Sequence, residues 1–109
     1  MRISIIIPTF NNLNYLKLVL KSIDNNSKYE HEVIVHVNEG SDGTIDYVKR
    51  NKIKHTHSLK NIGLCSAVNI AATHSTESYI MYAHDDMYFC KNWDFFLEKK
   101  VKEKKNNLF

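Results

Sequence analysis

Turn-forming residues are scarce in this sequence. Three glycines and one proline among 109 residues exclude a collagen-like, low-complexity or linker-rich chain. Two cysteines, Cys65 and Cys90, are too few for a disulfide framework and lack metal-ligand spacing, so reduced thiols in a cytoplasmic compartment are expected. No apolar run approaches the roughly 18 residues of a membrane-spanning helix. The run at residues 3–7, stopped by Pro8, is too short for the core of a secretory signal. A large charge surplus is missing too: 15 Lys and Arg stand against 12 Asp and Glu, a formal +3. Much of that surplus is local, in Lys99, Lys100, Lys102, Lys104 and Lys105. These lysines read first as a solvated helix end that suits the negative pole of the helix dipole. A basic adaptor for nucleic acid or a membrane surface is the alternative, with nucleic acid not expected as a partner because few aromatics interleave the lysines.

What is present suffices for one small domain, residues 1–109, with 43% hydrophobic residues for a core. Residues 3–7, Ile-Ser-Ile-Ile-Ile, read as a strand buried on both faces. Thr9-Phe10-Asn11-Asn12 is a turn able to cap a helix. Leu13, Leu16, Leu20 and Ile23 then recur at helical spacing, and Asn25-Asn26-Ser27 ends that helix. Residues 32–37 make a second strand, 38–44 a polar loop with two glycines, and 45–50 a short helix starting near Ser41 or Asp42. Residues 53–57 alternate as a third, edge-like strand. Residues 61–74 read as a helix with Leu64, Ala67, Val68 and Ala71 toward the sheet. Residues 79–83 read as a fourth, buried strand, and 93–104 as a last helix with Trp93 and Phe96 in the core. Alternating strands and helices imply an α/β, Rossmann-like fold: a mainly parallel sheet of about four strands flanked by helices.

The chemistry concentrates where the fourth strand stops. Tyr79-Ile80-Met81-Tyr82-Ala83 runs into His84 and two adjacent carboxylates, Asp85 and Asp86. Ligands of open α/β sheets bind beyond the carboxyl ends of the strands. Two neighbouring acids repel unless a cation or solvent offsets them, and a divalent metal carrying phosphate would do so. A simple turn cap is the competing role for both acids, and a solvent-facing position is expected for His84. His55 and His57 share a strand face but have no further ligands nearby for zinc. Cys65 has no base beside it, so a nucleophilic role is not expected.

Four segments together resemble one family. Ser4-Ile5-Ile6-Ile7-Pro8-Thr9-Phe10-Asn11, Asn38-Glu39-Gly40-Ser41-Asp42-Gly43-Thr44, Asn61-Ile62-Gly63-Leu64-Cys65-Ser66-Ala67-Val68-Asn69-Ile70-Ala71, and Ala83-His84-Asp85-Asp86 fall in the order of the N-terminal, nucleotide-sugar-binding half of a family 2 glycosyltransferase of the GT-A fold. Asn38 and Glu39 stand where two aspartates are usual, and Ala83 stands where the metal motif's first acid is common. The resemblance implies nucleotide contacts from Pro8, Thr9, Phe10, Asn38, Glu39 and Gly63. Thr9 would meet the nucleoside, Glu39 the uracil or ribose, and Gly63 would let backbone approach the diphosphate, packing of helix on sheet being its other explanation. It implies Mg²⁺ or Mn²⁺ on Asp85, with Asp86 beside it. It also implies an inverting transfer from a nucleotide-diphospho-sugar, by this pattern a UDP-sugar, to a hydroxyl of a saccharide or glycolipid acceptor in surface polysaccharide or glycolipid synthesis. Family members are about twice as long, and their second half carries the acceptor site and catalytic base, so a non-catalytic nucleotide-sugar-binding fragment is the alternative. A cytoplasmic location at the inner membrane face, peripheral membrane contact and self-association through an exposed sheet edge complete the expectations.

Overall fold

The computed structural model describes residues 1–107. Leu108 and Phe109, and the side chain of Lys105 in the basic tail, lie outside the described residues. The elements alternate as β1 (Ser4–Phe10), α1 (Leu13–Asn26), β2 (Glu32–Asn38), α2 (Thr44–Arg50), β3 (His55–Ser58), α3 (Leu64–Ala72), β4 (Ile80–Tyr82) and α4 (Trp93–Asn107). Among the described residues, the strands form one sheet in the order β3-β2-β1-β4, and every neighbouring pair is parallel. The chain thus winds outward from β1 through β2 to β3. It then returns through α3 to the other side of β1.

Two faces of unequal depth cover the sheet. On one, Ile3, Ile5, Ile7, Val35 and Val37 pack against Leu16, Val19 and Ile23 of α1, Val48 of α2, and Phe89. On the other, Ile6 and Ile34 meet Ala71 and the half-buried Val68 of α3. Alternation along the strands sends successive side chains to opposite faces. The small residues of α3 let it lie close to the sheet.

Four expectations about this frame change. β1 does not stop at Pro8 but continues through Thr9 and Phe10, so the first two residues read as a turn are strand. Ser4 N–H donates to Tyr79 O and Ala83 N–H donates to Ile6 O, each at 2.9 Å. Even-numbered residues of β1 therefore face β4. β4 ends at Tyr82, level with Ile6, so at Pro8 there is no ladder bond for the missing N–H to break. β4 itself is an edge strand, not a buried one, with Ile80 54% exposed. Phe96, expected in the core, is 59% exposed, and Leu64 also faces outward rather than toward the sheet.

Two polar latches hold the end of the sheet where the strands begin. Glu32 accepts from Ser4 Oγ at 2.7 Å, Lys54 Nζ at 2.8 Å, and Thr76 N–H at 2.8 Å. Burial works against its charge, but these donors outweigh burial and hold its pKa at about 2. The second latch is Asp94, in the first turn of α4 and only 1% exposed. It accepts the N–H groups of Lys28 and Tyr29 and the Nε2–H of His31, each at 2.8 Å. Ile3 N–H donates to His31 Nδ1 at 3.1 Å, which leaves Nε2 as the nitrogen carrying the proton toward Asp94. Trp93 packs edge-on against Phe89, with ring centroids 4.7 Å apart, and its indole N–H donates to Ser27 Oγ at 2.9 Å.

Candidate functional site: a cleft at the carboxyl ends of the strands

The reversal of winding direction at β1 opens a crevice beyond the ends of β1, β2 and β4, the place where open parallel sheets take ligands. A cleft of about 360 Å³ lies there, and its walls include Pro8, Thr9, Phe10, Asn38, Gly63 and Asp85. Asn12, Asn61, Leu64 and His84 complete the lining. Most of the expected nucleotide-contact residues therefore come together with one of the two acids. Glu39 and Asp86 lie outside the lining. His84 is exposed, as expected, but it borders the cleft and shares a hydrogen bond with Tyr82 Oη at 3.2 Å. Asn12 and Leu64 carry no sequence signal beyond following β1 and Gly63.

Asp85 is positioned by Thr9, whose Oγ1 donates to its Oδ2 at 2.8 Å. Thr9 is 2% exposed, and its one hydroxyl proton is used on the carboxylate, which leaves the oxygen as an acceptor only. One lone pair of Oδ2 is used, and Oδ1 remains available to a cation or donor. Asp86 is exposed and has no hydrogen bond or ion pair among the described residues.

The loop after β2 forms the opposite wall. Asn38 is buried, and its Oδ1 accepts from Ile62 N–H at 3.0 Å and Ser58 Oγ at 3.1 Å. Ser58 Oγ also meets Nε2 of the buried His36 at 3.0 Å, and burial pushes the His36 pKa down. Asn38 thus fixes the segment leading into α3 as well as lining the cleft. Glu39 follows with φ +61°, a left-handed conformation that costs a non-glycine residue roughly 1 kcal/mol. Its backbone is clamped by β3: Glu39 N–H donates to Ser58 O at 2.9 Å, and Glu39 O accepts from His57 Nε2 at 2.8 Å. Glu39 follows β2 at the same end of the sheet as Asp85, but it is not part of the cleft lining. Gly40 is irreplaceable for two reasons. Its φ is +80°, and a Cβ there would come 2.5 Å from Val37 Cγ1.

Asp42 joins this loop to the start of α1. Its Oδ2 accepts Leu13 N–H at 3.1 Å, and its Oδ1 accepts Thr44 N–H at 3.1 Å and Thr44 Oγ1. Burial opposes its charge, but the donors from Thr44 and Leu13 prevail and lower its pKa. Asn12, at the N-cap of α1, makes no side-chain cap bond, so the cap comes from a residue 29 positions away. Asp42→Ala removes the caps of two helices at once. A loss of about 1–2 kcal/mol, and a thermal midpoint lower by roughly 5–10 °C, is expected by circular dichroism. An unchanged midpoint would show that the cap carries no weight.

The third wall is the N-terminus of α3. Gly63 has φ +82°, and nothing lies within 4 Å of where its Cβ would be. Packing of helix on sheet is therefore not what requires this glycine. Gly63 and Leu64, at the start of α3, line the cleft, and the positive end of a helix dipole favours an anion. Asn61 Oδ1 accepts Gly63 N–H at 2.9 Å and holds the left-handed turn there.

Among the described residues, no group of three or more His, Cys, Asp or Glu converges on a metal position. Mg²⁺ and Mn²⁺ sites differ from such cages: they commonly use one or two carboxylates, several waters and the phosphates of a bound substrate. Asp85, with Oδ1 unengaged and the α3 N-terminus across the cleft, fits a cation that arrives with a diphosphate.

The family model for glycosyl transferase family 2 matches residues 4–107. The chain belongs to this family. A relative from Rickettsia bellii (strain RML369-C), described as an uncharacterized glycosyltransferase, is 32% identical over 114 residues. The match covers 99% of this chain and 16% of that protein, so this family 2 chain spans about a sixth of its relative's length. S. aureus TarS 1–349 in complex with UDP superposes with a TM-score of 0.82 at 23% identity, covering 96% of this chain and 33% of that one. The mannosyltransferase PcManGT from Pyrobaculum calidifontis, in complex with GDP-Man and Mn²⁺, gives a TM-score of 0.67 at 24% identity over 77% of this chain and 27% of that one. Likenesses at this identity establish the fold, which is the GT-A α/β architecture of family 2.

Proposed function

We propose that this chain forms the donor site of a glycosyltransferase that takes a nucleotide-diphospho-sugar, a UDP-sugar, together with Mg²⁺ or Mn²⁺. The observation that carries it is the Thr9–Asp85 pair, at 2.8 Å, set in the switch-point cleft of a family 2 chain. Phe10 is half exposed and offers a ring edge to the nucleoside. Pro8 and Asn38 supply the wall on that side. The N-terminus of α3 faces the diphosphate, and Asp85 holds the cation. When bound, that cation offsets the negative charge that grows on the departing nucleoside diphosphate. Glu39, outside the lining, reaches the ribose or base by a side-chain rotation. Asp86 serves the cation's water shell. Relatives of this fold crystallised with UDP, with UDP-GlcNAc and with GDP-Man and Mn²⁺ support this donor class.

Donor binding, not turnover, is assigned to these residues, and no side chain of the cleft is placed as the base that activates the acceptor. The acceptor in this proposal is a hydroxyl of a saccharide or glycolipid, for surface polysaccharide or glycolipid synthesis. The protein works in the cytoplasm at the inner membrane face, and the open edge of β4 is the surface through which copies would pair. Calorimetric titration with UDP tests the donor site. Saturable heat that requires Mn²⁺ and vanishes with EDTA is expected. No heat from UDP or GDP up to about 1 mM, the weakest affinity worth the name for such a site, would refute the proposal while the protein remains folded.

A further inference from the structure

A second and larger groove, about 950 Å³, lies at the opposite end of the sheet. Its walls come from the second half of α1, the end of α2, and the segments entering β1, β2 and β3. The floor includes Leu20, Ile23, Val33 and Ile53, and the rim carries Arg2, Lys17, Lys21, Lys28, Lys52 and Lys54. Against these six cations the lining has two acids, Asp24 and Glu30. The excess of four within the lining falls to two once Glu32 and Glu77, which pair with Lys54 and Arg2 from just outside it, are counted.

Two of the six cations have acidic partners outside the lining. Lys54 pairs with Glu32 at 2.8 Å, and Arg2 approaches Glu77 only to 3.9 Å. Lys17 lies 5.2 Å from the Tyr47 ring centroid, and Lys28 lies 4.4 Å from that of Phe95. Lys21 and Lys52 have no partner among the described residues. Helix dipoles suit Lys28 and Lys52, which follow the C-termini of α1 and α2 directly, but they do not account for Lys17 and Lys21, because their pull is confined to the last turn. The last turn of α1 has no basic residue, and Lys17 and Lys21 sit further up that helix. A concave site with an apolar floor and a basic rim is the chemistry of a ligand pocket, and a bound anion would lower the repulsion among its lysines.

We propose that this groove is a second binding site, taking an amphipathic phosphate. The phosphate head would lie among Lys21, Lys28 and Lys52, with an apolar portion on Leu20, Ile23, Val33 and Ile53. The head belongs either to a soluble phosphorylated molecule or to a lipid of an anionic bilayer. The site is separate from the donor cleft and stands whether or not that cleft takes UDP.

Two probes decide the matter. The ¹⁵N-labelled protein is titrated with dihexanoyl phosphatidic acid, and it is floated with phosphatidylcholine vesicles with and without phosphatidylglycerol. Amide shifts confined to residues 20–33 and 47–54, or flotation that requires phosphatidylglycerol, are expected. The double variant Lys21→Glu, Lys52→Glu should weaken either signal at least about tenfold while its thermal midpoint stays within a few degrees. Shifts without flotation assign a soluble ligand, and flotation assigns the bilayer. Absence of both signals, or signals that survive the double variant, overturns the site. UDP titration of the same samples reports the donor cleft separately.

Discussion

Asp85→Asn is expected to weaken Mn²⁺-dependent binding of UDP by about 100-fold, with little change in stability. Asparagine has the same shape, and its Oδ1 still accepts the hydroxyl of Thr9, so the 2.8 Å contact that orients the side chain persists. What disappears is the negative charge. A cation shared between substrate phosphates and one or two protein carboxylates then loses its principal protein ligand. Changes to groups that merely orient ligands cost 10–100-fold in metal affinity, so loss of a direct ligand belongs at or above the top of that range. Asp86→Asn is the comparison. Asp86 is exposed and outside the cleft, and with only the cation's water shell to serve its loss should cost about tenfold. Calorimetry with and without Mn²⁺ separates the two. If Asp85→Asn binds UDP with undiminished dependence on Mn²⁺, the cation is held elsewhere.

Asp94→Ala is expected to lower the thermal midpoint by roughly 12–25 °C. The carboxylate is 1% exposed and satisfies the N–H groups of Lys28 and Tyr29 and the ring of His31. Truncation leaves these donors facing a void, and removing one partner from a buried pair costs about 3–5 kcal/mol. A domain of this size has only about 5–15 kcal/mol in total. Asp94→Asn keeps an acceptor oxygen and should lose roughly half as much. The charge also sets a sign in pH. Burial opposes ionisation of Asp94, but Lys28, Tyr29 and His31 outweigh it and lower its pKa below 3.8. Its contribution is complete above that value and drains away as pH falls through the folded pKa. The alanine variant should therefore show a shallower acid limb in melts taken across pH 2–5. A midpoint within about 5 °C of the parent would show that α4 is held by its apolar contacts alone.

The architecture was readable because β-branched runs and helical spacing alternate with little competing signal. The order of elements and their parallel arrangement follow from that pattern. What was not readable depended on who sits beside whom. Pro8 looks like a strand terminator, and only the early end of β4 makes it harmless. Tyr79 to Ala83 reads as buried because it is apolar, yet β4 is an edge, so Ile80 lies in the open. Phe96 has the spacing of a core residue, but α4 rolls on Trp93 and Leu97 and turns Phe96 outward.

The candidate site divides in the same way. Asp85, Gly63 and the ends of β1 and β2 follow from their place after strands. Thr9 was expected to face the nucleoside, and it also supports Asp85, a pairing across 76 positions that local pattern cannot show. Asp42 looks like the cap of its own helix and also caps α1. Asp94 looks like an ordinary acid at a helix start, and nothing in its neighbourhood signals that it ties α4 to the α1–β2 loop.

Trp93 is the only tryptophan in the chain, and its seat between Phe89, Ser27 and His31 makes it a natural optical probe. Its emission reads the anchoring of the last helix at the end of the molecule remote from the donor cleft. Detachment of that helix can thus be followed by emission in the same unlabelled protein whose nucleotide binding is followed by heat.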